Sequence, residues 1–135
     1  MLRSLDLGSA RAGPGRIPRT GRESIKEISM LRIYPILIQL VRDLRPALAT
    51  LARRDADLAR QCRRALTSAP LNVAEGTYSS GKNRPARYYT ALGSLREALA
   101  CFEVAEALGY MPELEPGILD RFDRIIATLV RLTKS

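Results

Sequence analysis

Apolar residues recur at alternating steps of four and three in four separate stretches of this chain, and that spacing puts each set on one face of an α-helix. The first stretch carries Ile33, Leu37, Leu40, Leu44, Ala47 and Leu51. The second carries Leu58, Cys62, Ala65, Ala69 and Asn72, the third Tyr88, Leu92, Leu95, Leu99 and Phe102, and the fourth Ile118, Phe122, Ile125, Leu129 and Leu132. Aromatic residues make up only 5% of the 135-residue chain and Trp is absent, so a sheet, which draws on β-branched and aromatic side chains, is disfavoured. The length suits one domain.

Turn chemistry sets the expected boundaries. The first helix spans about residues 32–51, with Pro35 in its first turn and a break near Arg45, because Pro46 removes a backbone donor. Asp55 or Asp57 caps a second helix over residues 57–75. The loop TYSSGKNRP is polar and basic, and Asn83 is placed to cap a third helix over residues 84–108, with Pro85 in its first turn. Gly109 ends that helix, and Pro116 opens the fourth. Short connections make neighbouring helices run in opposite directions, so the expected fold is all-α, an antiparallel up-down-up-down four-helix bundle over residues 30–135. Residues 1–29 are rich in Gly, Pro, Ser and Arg and are expected to be a disordered basic leader, with Met30 a candidate natural start. Second apolar stripes, Ile36, Ile38 and Val41 on the first helix and Leu119, Ile126 and Val130 on the last, suggest self-association.

Composition removes several function classes. With no His the chain lacks the commonest metal ligand and general base, so no metal, cofactor or catalytic residue is expected, and the Glu-x-x-His motif of di-metal bundles is impossible. Cys62 and Cys101 lie within helical apolar patterns and read as buried reduced thiols in a cytoplasmic protein. The longest apolar run, residues 33–51, is interrupted by Arg42, Asp43 and Arg45, and neither a membrane span nor a secretory signal is visible.

The formal charge of +8 makes nucleic acid the first partner to consider, although 19 of the 22 cations are Arg, a skew that coding-sequence composition alone can produce. Distribution is more informative than the sum. Residues 53–87 hold eight cations and three anions, whereas residues 88–135 hold five and seven. The favoured contact surface is Arg60, Arg63, Arg64, Lys82, Arg84 and Arg87, with Tyr78 available for stacking. Each of these cations also fits an ordinary solvated helix face.

Residues 64–76, RALTSAPLNVAEG, are the oddest helical stretch. Pro70 interrupts the apolar spacing at a cost of about 3 kcal/mol inside a helix, and polar Ser68, Asn72 and Glu75 sit among the apolar positions. Either this is a core helix, kinked at Pro70, whose Asn and Glu bond to a neighbouring helix, or Asn72 and Glu75 belong to a functional surface. Gly76 reads as a left-handed C-terminal cap, and Gly93 with Ser94 marks a close approach of another backbone. Glu97, like Glu75, reads as an interhelical partner of Arg or Asn72.

These residues resemble a family of small four-helix-bundle proteins first noted as reading frames in intervening sequences of bacterial 23S ribosomal RNA genes. The resemblance spans about residues 33–132 and rests on S-x-P-x-N-x-A-E-G at Ser68, Pro70, Asn72, Ala74, Glu75 and Gly76. It continues in G-S-L-x-E at Gly93, Ser94, Leu95 and Glu97 and in the closing Leu108, Gly109 and Tyr110. It implies a ring-like homopentamer with a basic surface. The accessory variability protein of diversity-generating retroelements is similar, and through it the resemblance implies binding to RNA or DNA and to a reverse transcriptase or other protein partner. The expected role is a non-catalytic oligomeric nucleic-acid-binding or adaptor protein. The alternative is a protein-interaction or structural module that does not touch nucleic acid.

Overall fold

Among the residues the computed structural model describes, 21–134, with side chains from Ile25 onward, every regular element is a helix. These are α1 (Gly21–Asp43), α2 (Arg45–Arg54), α3 (Ala56–Tyr78), α4 (Asn83–Ala107) and α5 (Pro116–Leu132). Residues 1–20, most of the stretch read as a leader, lie outside the described residues.

The expected first helix is realised as α1 and α2, separated by Leu44 alone, one residue before the expected break. Pro46 has no N–H to give to the Arg42 carbonyl, and the Arg45 Nε donates to that carbonyl instead, at 3.2 Å. The Leu44 N–H reaches the carbonyls of Leu40 and Val41 at 3.0 and 3.1 Å, and the Leu48 N–H bonds to the Leu44 carbonyl at 2.9 Å. The chain direction therefore changes little. At the other end the helix begins at Gly21, not near Arg32, so residues 21–29 are helical where the reading put unstructured leader. Their polar composition hid the turn that brings Met30 into the core while leaving Ile25 and Ile28 exposed.

The apolar seams bury as spaced. Ile33, Leu37, Leu40, Leu44 and Leu51 face Cys62, Ala65, Ala69 and Val73, together with Tyr88, Leu92, Leu95 and Phe102 and with Phe122, Ile125, Leu129 and Leu132. Ala47, Leu58, Leu99 and Ile118 are half-buried at the edges of the same core. The most extensive contact is between α3 and α4; α5 packs on α4 and on α1, and α2 on α3. Alanines explain the closeness of α3 and α4: Ala59, Ala65 and Ala69 on one helix and Ala91, Ala98 and Ala105 on the other are buried, and small side chains shorten the distance between axes.

Local chemistry sets the ends. The Asp55 carboxylate accepts the Leu58 N–H at 3.0 Å, which decides between the two capping aspartates. Asn83 is the first residue of α4 rather than its cap; Lys82 holds the cap position and makes no side-chain capping bond. Gly109 has φ +78° and closes α4, with the Tyr110 N–H on the Ala105 carbonyl and the Gly109 N–H on the Glu106 carbonyl, both at 2.9 Å. Arg54, at the end of α2, donates to the carbonyls of Gly109 and Tyr110 at 3.4 and 3.2 Å and so ties α2 to that turn.

Two glycines differ from their sequence reading. Gly76 is not a left-handed cap; it lies inside α3, buried, where a Cβ would stand 2.7 Å from the Tyr88 Cε1. Gly93 is exposed, with nothing within 4 Å of a Cβ, so no backbone among the described residues approaches it. The pair should separate in thermal unfolding. Gly76→Ala is expected to destabilise by about 1–3 kcal/mol through overpacking. Gly93→Ala is expected to stabilise by roughly 0.5–1 kcal/mol through helix propensity. A higher melting temperature for Gly76→Ala would contradict the packing described.

An ion pair joins α1 and α5: Arg121 Nη1 lies 2.7 Å from Asp43 Oδ2, while Gln39 Nε2 donates to Asp43 Oδ1 at 3.0 Å. The Arg121 hydrogen bond, with Gln39 assisting, holds the Asp43 carboxyl below its ordinary range. A depressed folded-state pKa stabilises above the unfolded value, about 3.9, and that contribution is lost as pH falls through the folded value. The melting-temperature difference between wild type and Asp43→Asn should therefore be present at neutral pH and shrink as pH falls below about 3.9 toward the depressed folded-state value. A difference that grows in acid would contradict this assignment.

Candidate nucleic-acid interface

The polar residues of α3 turn toward α4 and form a seam. Asn72 Nδ2 donates to the Ser68 carbonyl at 3.0 Å and to Ser68 Oγ at 3.1 Å, and Ser94 Oγ of α4 donates to the same Ser68 Oγ at 2.8 Å. One turn further along, Arg87 of α4 reaches back: its Nε lies 3.0 Å from Glu75 Oε1 and its Nη1 donates to Asn72 Oδ1 at 3.4 Å. Ser68, Asn72, Glu75, Arg87 and Ser94 are thus one connected set. Among the described residues no buried side-chain polar atom lacks a partner. Of the two readings of this stretch, the arrangement is the interhelical one, and α3 continues through a buried Pro70.

Beyond the seam, the end of α3 is pinned from several sides. Thr77 Oγ1 donates to the Val73 carbonyl at 3.0 Å and pairs with the Tyr88 hydroxyl at 3.1 Å. Ser79 Oγ donates to the Glu75 carbonyl at 2.7 Å, and Arg84 Nε to the Gly76 carbonyl at 3.2 Å. The chain then turns through Gly81, φ +62°, into α4. Tyr78 lies in the middle of these anchors and is itself 89% exposed.

The six cations read as a contact surface therefore divide. Arg84 and Arg87 are bound to α3 by the bonds just described, and Arg60 is paired with Asp57 on its own helix. Arg63, Arg64 and Lys82 are exposed and make no ion pair or side-chain hydrogen bond among the described residues. The sequence could not separate these groups, because a cation's partner across a helix pair depends on the angle at which the helices pack. Arg54 was counted only for its charge, and its role at the α4 turn left no signal in spacing.

A family model, that of the 23S rRNA-intervening sequence proteins, matches residues 30–131. The chain belongs to this family. No curated protein and no solved structure matches it. In this 23S rRNA-intervening sequence protein the seam residues Ser68, Asn72 and Glu75 are thus occupied in holding two helices together. Glu97 is a correction: it is exposed and has no ion-pair or hydrogen-bond partner among the described residues.

The two thiols are poor nucleophiles. Cys62 and Cys101 are buried; burial first, and then the neighbouring Cys101, push Cys62 up to about 12, and burial raises Cys101 as well. Among the described residues there is no group of three His, Cys, Asp or Glu side chains that could hold a metal ion. No described helix is long and apolar enough to cross a membrane.

The seam orders the consequences of substitution. Ser94→Ala removes one of the two donors to the half-buried Ser68 Oγ, leaving that from Asn72, and should cost about 1 kcal/mol in chemical denaturation. Glu75 and Arg87 are 58% and 50% exposed, so Glu75→Gln should cost less than about 0.5 kcal/mol after solvent screening. The reverse order would contradict the network.

Proposed function

We propose that this member of the 23S rRNA-intervening sequence proteins is a non-catalytic, oligomeric nucleic-acid-binding or adaptor protein. The observation that carries the reading is a group of exposed cations with no acidic partner among the described residues, Arg63 and Arg64 on α3 and Lys82 in the turn that follows. Such groups neutralise phosphates and release counterions, which gives affinity that falls steeply with salt and depends little on sequence. With α1 and α2 acting as one interrupted helix, the four long rods form an antiparallel up-down-up-down bundle that presents this basic face. Asp55 alone joins α2 to α3, and the remaining connections are short, which supports that topology.

Self-association fits the same picture. Ile36 is exposed on α1, and Ile38, Val41, Ile126 and Val130 are only half-buried, apolar surface that a second copy would cover. A homopentamer, a cytoplasmic location, and a role beside a reverse transcriptase like that of the retroelement accessory protein complete the proposal. The competing reading, a protein-interaction module indifferent to nucleic acid, draws on exposed Leu71, Tyr89, Val104 and Leu108.

Light-scattering mass with a structured RNA at low and high salt discriminates between them. The proposed function requires a multimer that binds RNA at low salt and releases it at high salt. In the same titrations, Arg63→Ala with Arg64→Ala should reduce the slope of log affinity against log salt by about one to two. A multimer indifferent to RNA at every salt concentration would leave the protein-interaction module.

A further inference from the structure

Tyr78 is the most exposed of the large hydrophobic side chains, at 89%, yet it does not stand on a loose segment. Thr77 before it is bonded to the Val73 carbonyl and the Tyr88 hydroxyl, and Ser79 after it to the Glu75 carbonyl. Two residues before Tyr78, Arg84 of the facing helix binds the Gly76 carbonyl, and Gly76 itself has no room for a Cβ beside the Tyr88 ring. The backbone that carries the Tyr78 ring is thus fixed by hydroxyl, guanidinium and packing contacts. A ring held in this way loses little conformational freedom when a flat partner settles on it.

Two cations follow it at the turn into α4. Lys82, four residues on, is exposed and unpaired, and Arg84 is anchored beside the same turn. The acid nearest in the chain, Glu75, is already engaged by Arg87. An exposed aromatic ring followed at the same turn by an unpaired lysine matches a nucleotide: the base stacks on the ring and the phosphate meets the cation. A duplex offers the phosphate but keeps its bases stacked within the helix, out of reach of a ring on the protein surface.

We infer that Tyr78, with Lys82 and Arg84 at the α3–α4 turn, is a stacking platform for unpaired nucleotides, so that the ligand class is single-stranded or looped nucleic acid. The inference rests on the nucleic-acid reading above and names which part of the nucleic acid the protein takes. Arg63 and Arg64 lie 14–15 residues before Tyr78 on α3, about 21–23 Å along the axis at 1.5 Å per residue. They supply charge to any polyanion and are distant from the platform, so the two contributions are separable.

The test compares a single-stranded RNA 12-mer with a blunt duplex of the same sequence, by fluorescence anisotropy at low salt, for wild type, Tyr78→Ala and Tyr78→Phe. The platform requires that Tyr78→Ala weaken single-strand binding about tenfold or more, leave duplex binding within about twofold, and be rescued by Tyr78→Phe, which keeps the ring. The wild type should also prefer the single strand. Since Tyr78 is exposed, both variants should fold, which circular dichroism checks. Equal binding of both RNAs with no effect of Tyr78→Ala would overturn the platform and leave the basic-surface reading standing. Absence of binding to either RNA at low salt would overturn both.

Discussion

The close packing of α3 on α4 is the constraint on which the rest depends. Gly76 lets the Tyr88 ring lie against the α3 backbone, closer than any side chain would allow. That contact sets the register in which Ser68 meets Ser94 and Glu75 meets Arg87. Buried alanines on both helices carry the approach along their length. The polar seam adds direction: apolar surfaces tolerate sliding and rotation, whereas a hydrogen-bonded set left half-satisfied is costly, so one register is selected.

This arrangement explains a sequence that otherwise reads as self-contradictory. Proline and three polar residues inside an apolar helix look like a kinked core element or like a functional surface. The polar atoms are consumed locally, and Pro70 itself is buried in the core. What remains outward on this part of the molecule is the cationic side of α3 and the turn into α4. Structure and surface are therefore linked: the seam binds Arg87, the pinned turn occupies Arg84, and Arg63, Arg64 and Lys82 are left to the solvent.

The helical class, the positions of three of the four turns and nearly all of the core were legible in spacing alone, because a stripe of Leu and Ile at steps of three and four has few other uses. Pro46 also announced its break to within one residue. Glycine was harder. Gly76 and Gly93 both look like close-packing or capping positions in one dimension, and only the neighbour's location separates the glycine against the Tyr88 ring from the one facing open space. The start of α1 was missed because propensity in residues 21–29 is weak and the burial of Met30 is a tertiary effect. The candidate interface was legible as a region of positive charge; its division into anchored and free cations was not, since that depends on which acceptors the packed helices bring near.

The central claim is that the free cations of α3 and the turn into α4 form the binding face. Amide chemical-shift mapping by NMR on titration with a short structured RNA tests it most directly. The account predicts perturbations clustered at residues 60–64 and 78–84, with α1 and α5 largely unaffected. Perturbations centred on α1 or α5, or none at an RNA concentration where binding is saturated, would contradict it.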